Sequence, residues 1–247
     1  MEIESLEFKT EKEYKEFLDY LFSIRDIEYR DFNTKIVVPV DCEIIGIRTP
    51  ILRDIAKKIA KTSSENFLNL FEKLFIKKKV KYYEEKVLYG FLIGYSKMDY
   101  QDRLRRIDFF INIIDNWAVC DIVDSSFKFI NKNKEDFYKY LNSKLSATNP
   151  WEQRFIFVML LAYYVEDKYL KDIFKICEKI KSEEYYVNMA KAWLLSVCYV
   201  KYREETYQFL EKTKLDAWTV NKAIQKIRES LRVTKEEKEK ILILKRK

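Results

Sequence analysis

The chain has 247 residues, a formal net charge of +7 and no histidine, which removes Ser-His-Asp and Cys-His arrangements, histidine-ligated metals and any imidazole acid or base. With 48% hydrophobic and 16% aromatic residues, it can bury a continuous core in one or two domains. Three glycines and three prolines are too few turn signals for a sandwich or barrel, whereas Lys, Glu, Leu, Ile and Tyr recurring at helical spacing predict an all-α fold.

The first residues, Met1-Glu2-Ile3-Glu4, are acidic rather than signal-like. Residues 10 to 24 predict an amphipathic helix with Tyr14, Phe17, Leu18 and Leu21 on one face. From Asp26 to Cys42 the pattern is short and mixed, and Pro39 should interrupt any helix there. Gly46-Ile47-Arg48-Thr49-Pro50 then reads as a permissive glycine, a threonine N-cap and a proline at the first helical position. Asn149-Pro150 repeats that device before Trp151.

Six apolar helical stretches begin near Thr49, Tyr82, Trp117, Asn149, Glu183 and Trp218, spaced roughly 34 residues apart, which suits one helical hairpin per repeat. Partner helices are expected over Ser64 to Phe75, Tyr100 to Ile111, Asn133 to Leu145 and Lys168 to Lys179. The tail combines a capping box, Thr234-Lys235-Glu236-Glu237, with a terminal Lys245-Arg246-Lys247 cluster. The expectation is one domain over 1–247: N-terminal helices at 1–45, a repeat array at 46–232 and a capping helix at 233–247. Its architecture would be an α-solenoid of right-handed type. Trp151 and Trp218 are assigned to the core, and Gly90 and Gly94, four apart, to close helix packing.

Counting four or five residues into each repeat gives Arg53, Lys86, Asp121, Arg154, Asn188 and Lys222. Equivalent helices would present them on one stacked face, so a single acid interrupts a basic column. A surplus of cations can hold a phosphate backbone by counterion release, or can be only a solvated surface. Cys42, Cys120, Cys177 and Cys198 form no C-x-x-C pair and read as thiols of a reducing, cytoplasmic setting. The apolar run from Phe155 to Val165 is too short to span a bilayer.

Read in order, Gly46-Ile47-Arg48-Thr49-Pro50, Asn116-Trp117-Ala118-Val119-Cys120-Asp121, Trp151-Glu152-Gln153-Arg154, Tyr185 to Trp193 and Asn221 to Ile227 resemble the AlkD-type DNA alkylation repair glycosylases. The likeness runs from about residue 44 to the end of the chain. It implies HEAT-like helical hairpins with a concave basic face for duplex DNA, and hydrolysis of the glycosidic bond of cationic alkylpurines. The lesion would stay in the duplex instead of entering a pocket, unlike the usual flipping strategy. Trp117, Asp121 and Trp193 match the family's catalytic-cleft residues and Arg154 its basic cleft residue. Arg53, Lys86, Lys222 and Lys226 would line the DNA-binding face. The resemblance implies a monomer, with no cofactor, metal, membrane or obligate protein partner. The segment before Gly46 departs from the pattern in being shorter and less helical, and Ser196 stands where a basic residue is expected.

The chemistry can be argued from the residues themselves. A purine alkylated at N3 or N7 is cationic and leaves as a neutral base, so it needs little general acid. What remains is stabilising an oxocarbenium-like sugar, a task that suits a carboxylate such as Asp121. Indole faces attract cations by roughly 0.5 to 2 kcal/mol each, which suits Trp117 and Trp193. Each assignment has a plainer alternative: core tryptophans, a surface aspartate paired with a lysine, an arginine bonded to a buried acid. A DNA-binding protein without base excision and an armadillo-like protein scaffold also remain open.

Overall fold

Polar side chains start the helices. Thr10, Asp26, Asp99, Asn116, Asn149, Asp216 and Thr234 each accept a backbone N–H from the first turn that follows, satisfying donors that a helix leaves open. In the computed structural model, which describes residues 2–38 and 41–247, these caps precede seven of fourteen α-helices, and no strand occurs among the described residues. Met1 and the predicted break at Pro39 lie outside the described residues, as does Val40. No helix among them is long and apolar enough to cross a membrane.

The chain divides into two compact units, Met1–Phe129 and Ile130–Lys247. The first holds α1 (Glu11–Ser23), α2 (Ile27–Ile36), α3 (Thr49–Thr62), α4 (Ser64–Ile76), α5 (Tyr83–Tyr95), α6 (Tyr100–Ile113) and the short α7 (Trp117–Ile122). Within it α5 is central, packing on α3, α4, α6 and α7. The residues from Tyr83 to Ile93 are all buried, including Glu84, whose carboxylate accepts the N–H groups of Ile45, Gly46 and Ile47 at 2.9, 2.7 and 3.2 Å. That grip fixes the approach to α3. Gly46 is required there, since its φ is +102° and a Cβ would lie 2.6 Å from the Asp26 carbonyl oxygen.

The second unit holds α8 (Lys134–Ser143), α9 (Pro150–Tyr163), α10 (Asp167–Lys179), α11 (Tyr185–Lys201), α12 (Arg203–Lys212), α13 (Ala217–Glu229) and α14 (Lys235–Lys240). Here α11 packs on α9, α12 and α13. Phe174 of α10 stacks on Phe209 of α12 with centroids 4.3 Å apart, so the partner helices also meet.

Two details differ from the sequence expectations. The stretch after Asp26 is a regular ten-residue helix, α2, capped by the Asp26 carboxylate. Its amphipathic signal is weak because it is mostly exposed: Asn33 is its only fully buried member among the described side chains, and Ile27, Phe32 and Ile36 are open to solvent. Thr49 is the first residue of α3 rather than its cap, and Arg48 holds the cap position without a side-chain bond.

Glu13 and Glu237 close capping boxes with Thr10 and Thr234. The Thr10 hydroxyl holds the Glu13 carboxyl below its usual value, and the Thr234 N–H does the same for Glu237. A depressed folded-state value contributes stability above the unfolded value of 4.5 that is lost as pH falls through the folded one. We expect the difference in Tm between the wild type and an E13Q/E237Q variant, followed by circular dichroism, to narrow between pH 7 and pH 3. A difference independent of pH would contradict this account of the two boxes.

Candidate active site

The site in the first unit is built on α7. Asn116 caps that helix through the Val119 N–H at 2.9 Å. Its amide is in turn held by Asp115 at 2.8 Å, whose other oxygen takes the Lys86 ammonium at 2.7 Å. Asp115 also receives the Asp41 N–H at 3.2 Å. One carboxylate therefore ties two other segments, α5 and the stretch at Asp41, to the start of α7. Trp117 and Asp121, four residues apart, share a helix face, and both are half-buried. The Trp117 indole N–H donates to the Ile36 carbonyl at 3.1 Å, which anchors the ring against the last turn of α2.

The far end of α7 is held by Arg53. Its guanidinium donates to the Ile122 carbonyl and to the Ser125 hydroxyl, each at 2.8 Å, and to the Tyr95 hydroxyl at 3.0 Å. It lies 4.5 Å over the Phe91 ring. Such a planar fork spans acceptors that a single ammonium cannot. After α7 comes a 3-10 turn, Asp124–Ser126. Burial, and then the negative charge of Asp121, push the Asp124 carboxyl above its ordinary value, while the Ser125 N–H and Arg53 oppose the shift. Two carboxylates thus concentrate negative charge where solvation is incomplete. Asp124, Ser125 and Tyr95 were not singled out from sequence; the three-residue interval between Asp121 and Asp124 is the one local signal that could have found that pair.

Arg53, Lys86 and Asp121 all lie in this unit, but the structure uses the two cations as internal braces. The Lys86 side chain is 9% exposed and ion-paired, and Arg53 is half-buried with its three bonds made.

Trp193, Arg154, Lys222 and Lys226 belong to the second unit. Trp193 is half-buried in α11, and its carbonyl accepts the Ser196 hydroxyl at 2.7 Å. Arg154 is buried. It donates to the Tyr186 carbonyl at 2.6 Å, with its guanidinium 5.9 Å from the centre of that ring, joining α9 to α11. Asn188 is buried as well and donates to the Ser182 carbonyl at 2.8 Å. Lys222 and Lys226 are half-buried. Lys222 lies 5.5 Å from the Trp218 ring centre and bonds Gln225 at 2.8 Å, and Lys226 pairs with Glu229 at 2.9 Å.

The assignment of Trp218 to the core needs correction. It is 40% exposed: in the first turn of α13 it meets the edge of Tyr185, at 5.4 Å and 63°, and the Lys222 ammonium, at 5.5 Å, and neither covers the ring. Trp151 is half-buried and meets Tyr186 at 5.6 Å.

A family model described as DNA alkylation repair enzyme matches residues 10–227. The chain belongs to that family. The match includes α2 and the α7 site, so the segment that departs from the sequence pattern lies within the family's span. Comparison with curated proteins gives no match. Membership of the DNA alkylation repair family places the work of this all-helical chain in DNA repair, and the surplus of cations suits a DNA substrate.

Proposed function

We propose that the protein is a monofunctional DNA glycosylase that hydrolyses the N-glycosidic bond of N3- or N7-alkylated, positively charged purines in duplex DNA. The observation that carries this reading is the α7 site: a half-buried carboxylate, Asp121, on the same helix face as Trp117, with Asp124 close enough to feel its charge. Such a site favours positive charge on the sugar, where it develops only as the bond breaks, over the same charge held on the base.

In the reaction the bond between C1′ and the base nitrogen breaks with its electron pair moving to the base. The cationic base departs neutral, and the positive charge passes to the sugar. Asp121 stabilises that oxocarbenium-like sugar and orients the water whose oxygen adds at C1′. The proton released by the water goes to solvent. Trp117 presents its indole to the charged nucleotide. By the family resemblance Trp193 contributes a second indole, and the HEAT-like arrangement supplies a basic face for the duplex. Arg53 and Lys86 act from behind, holding α7, and Arg154 holds α11 to α9. Lys222 of the column and Lys226, one turn further along α13, are half-buried and would meet phosphates.

The test is direct. Purified protein incubated with methylated duplex releases free 7-methylguanine or 3-methyladenine, detected by chromatography, and its duplex affinity falls steeply with salt. Salt-sensitive binding without base release would instead establish a non-catalytic DNA-binding protein of the same family, and would reject the glycosylase.

A further inference from the structure

Beyond the α7 site, the second unit carries a cleft of about 590 Å³ between α13 and the C-terminal tail, within the size range of small-ligand sites. Trp218 and Lys222 form one wall, and Arg228, Lys235, Lys238 and Lys245 contribute positive charge around it. Two carboxylates also line the cleft, Glu229 and Glu239. Both are already paired, Glu229 with Lys226 at 2.9 Å and Glu239 with Arg228 at 3.7 Å. Lys235, Lys238 and Lys245 have no carboxylate partner among the described residues, so the cleft keeps an uncompensated positive charge.

The tail that completes the cleft is held in place. The Asn221 side chain brackets the Arg246 backbone with two bonds of 2.9 Å, and the Arg246 guanidinium donates to the carbonyls of Leu215 and Thr213 at 2.6 and 2.7 Å. Lys245 is therefore a fixed part of the wall. The Trp218 ring is steadied by the edge of Tyr185 and by Lys222, yet remains 40% exposed.

An exposed indole beside unpaired lysines joins a stacking surface for a base to a seat for a phosphate. We propose that this cleft binds an unpaired nucleotide of a DNA strand, with its base against Trp218 and its phosphates on Lys235, Lys238 and Lys245. The inference rests on the DNA-repair reading and extends it to a second contact, one that takes single-stranded rather than paired DNA. An acidic protein segment would satisfy the lysines but would leave the indole without a matching partner.

Binding of a fluorescent fifteen-nucleotide oligothymidylate, followed by anisotropy across a salt series, tests the proposal. Removing two phosphate contacts in K235Q/K238Q should lower the slope of log affinity against log salt by about 1.4. W218A should weaken binding by about 5- to 100-fold with the slope kept. All three substituted side chains reach solvent, and a thermal melt by circular dichroism verifies that the variants fold. Wild-type behaviour in either variant overturns the proposal. So does displacement of the oligonucleotide by polyglutamate as effectively as by unlabelled oligothymidylate, which would assign the cleft to an acidic protein. Base release from methylated duplex, measured on the same wild-type preparation, keeps the two readings apart. Release with variant-insensitive oligonucleotide binding removes only the cleft, and variant-sensitive binding without release removes only the glycosylase.

Discussion

Asp121→Asn is expected to lower single-turnover release of 7-methylguanine by at least about 100-fold, the scale of losing one preorganised electrostatic contact to a developing charge. The duplex affinity should stay within about twofold of the wild type. The substitution keeps the shape of the side chain, removes its charge and turns one acceptor oxygen into an N–H donor, so the loss of charge falls on the transition state. The braces on α7 are untouched: Asn116 caps its start, Arg53 holds its end and Trp117 is tied to α2. Without the Asp121 charge, the Asp124 carboxyl should also move back toward its ordinary value, because that repulsion is one of the causes raising it. Quantifying the free base chromatographically checks the first outcome, and anisotropy of a labelled duplex checks the second. Release at the wild-type rate would remove Asp121 from the reaction.

Gly94→Ala should lower Tm by about 2 to 12 °C, as expected for an added methyl group with no room, which typically costs about 1 to 3 kcal/mol. A Cβ on Gly94 would meet the Ser126 hydroxyl, and would lie 2.6 Å from the Ser126 carbonyl oxygen and 2.7 Å from its carbon. Backbone cannot swing aside as a side-chain end does. A Cβ on the neighbouring Gly90 would be as crowded, 2.5 Å from a Val123 methyl and 2.9 Å from the Phe110 ring. The pair lets the turn that follows Asp121 lie directly on α5, so the methyl group should displace that turn and reduce base release as well. A melt followed by circular dichroism, with release measured well below the new Tm, separates the two effects. An unchanged Tm would mean that α5 and the turn have slack that the packing denies.

Much of the helical order was legible. The interval between apolar stretches located the starts of α3, α5, α7, α9, α11 and α13 to within two residues, because one buried face per helix is a local pattern. Asn149, Thr234 and the two α5 glycines also served the local roles expected of them. The exposed α2 was missed for the complementary reason: with little of its surface buried, it has no strong apolar period to detect. The basic column was legible as a list of residues but not as a surface. Lys86 meets Asp115 and Arg154 meets the Tyr186 carbonyl, partners from neighbouring helices that no short window of sequence reveals. Trp218 was misjudged because an indole at helical spacing is usually covered, and coverage depends on how closely the following segment packs, which here leaves a cleft beside the ring. Asp121 could be nominated through its interval from Trp117 and the family resemblance, whereas its proximity to Asp124 and the Arg53 brace required coordinates.

The bond from the Trp117 indole to the Ile36 carbonyl has a thermodynamic corollary. α2 contributes little to the interior, so its opening is among the less costly local excursions of the first unit. Each such opening releases the indole N–H and with it the orientation of the ring. Because the two are linked, whatever clamps α2 also sharpens the aim of Trp117, and under the proposed function a nucleotide on that ring would slow the hydrogen exchange of α2 by the same free energy.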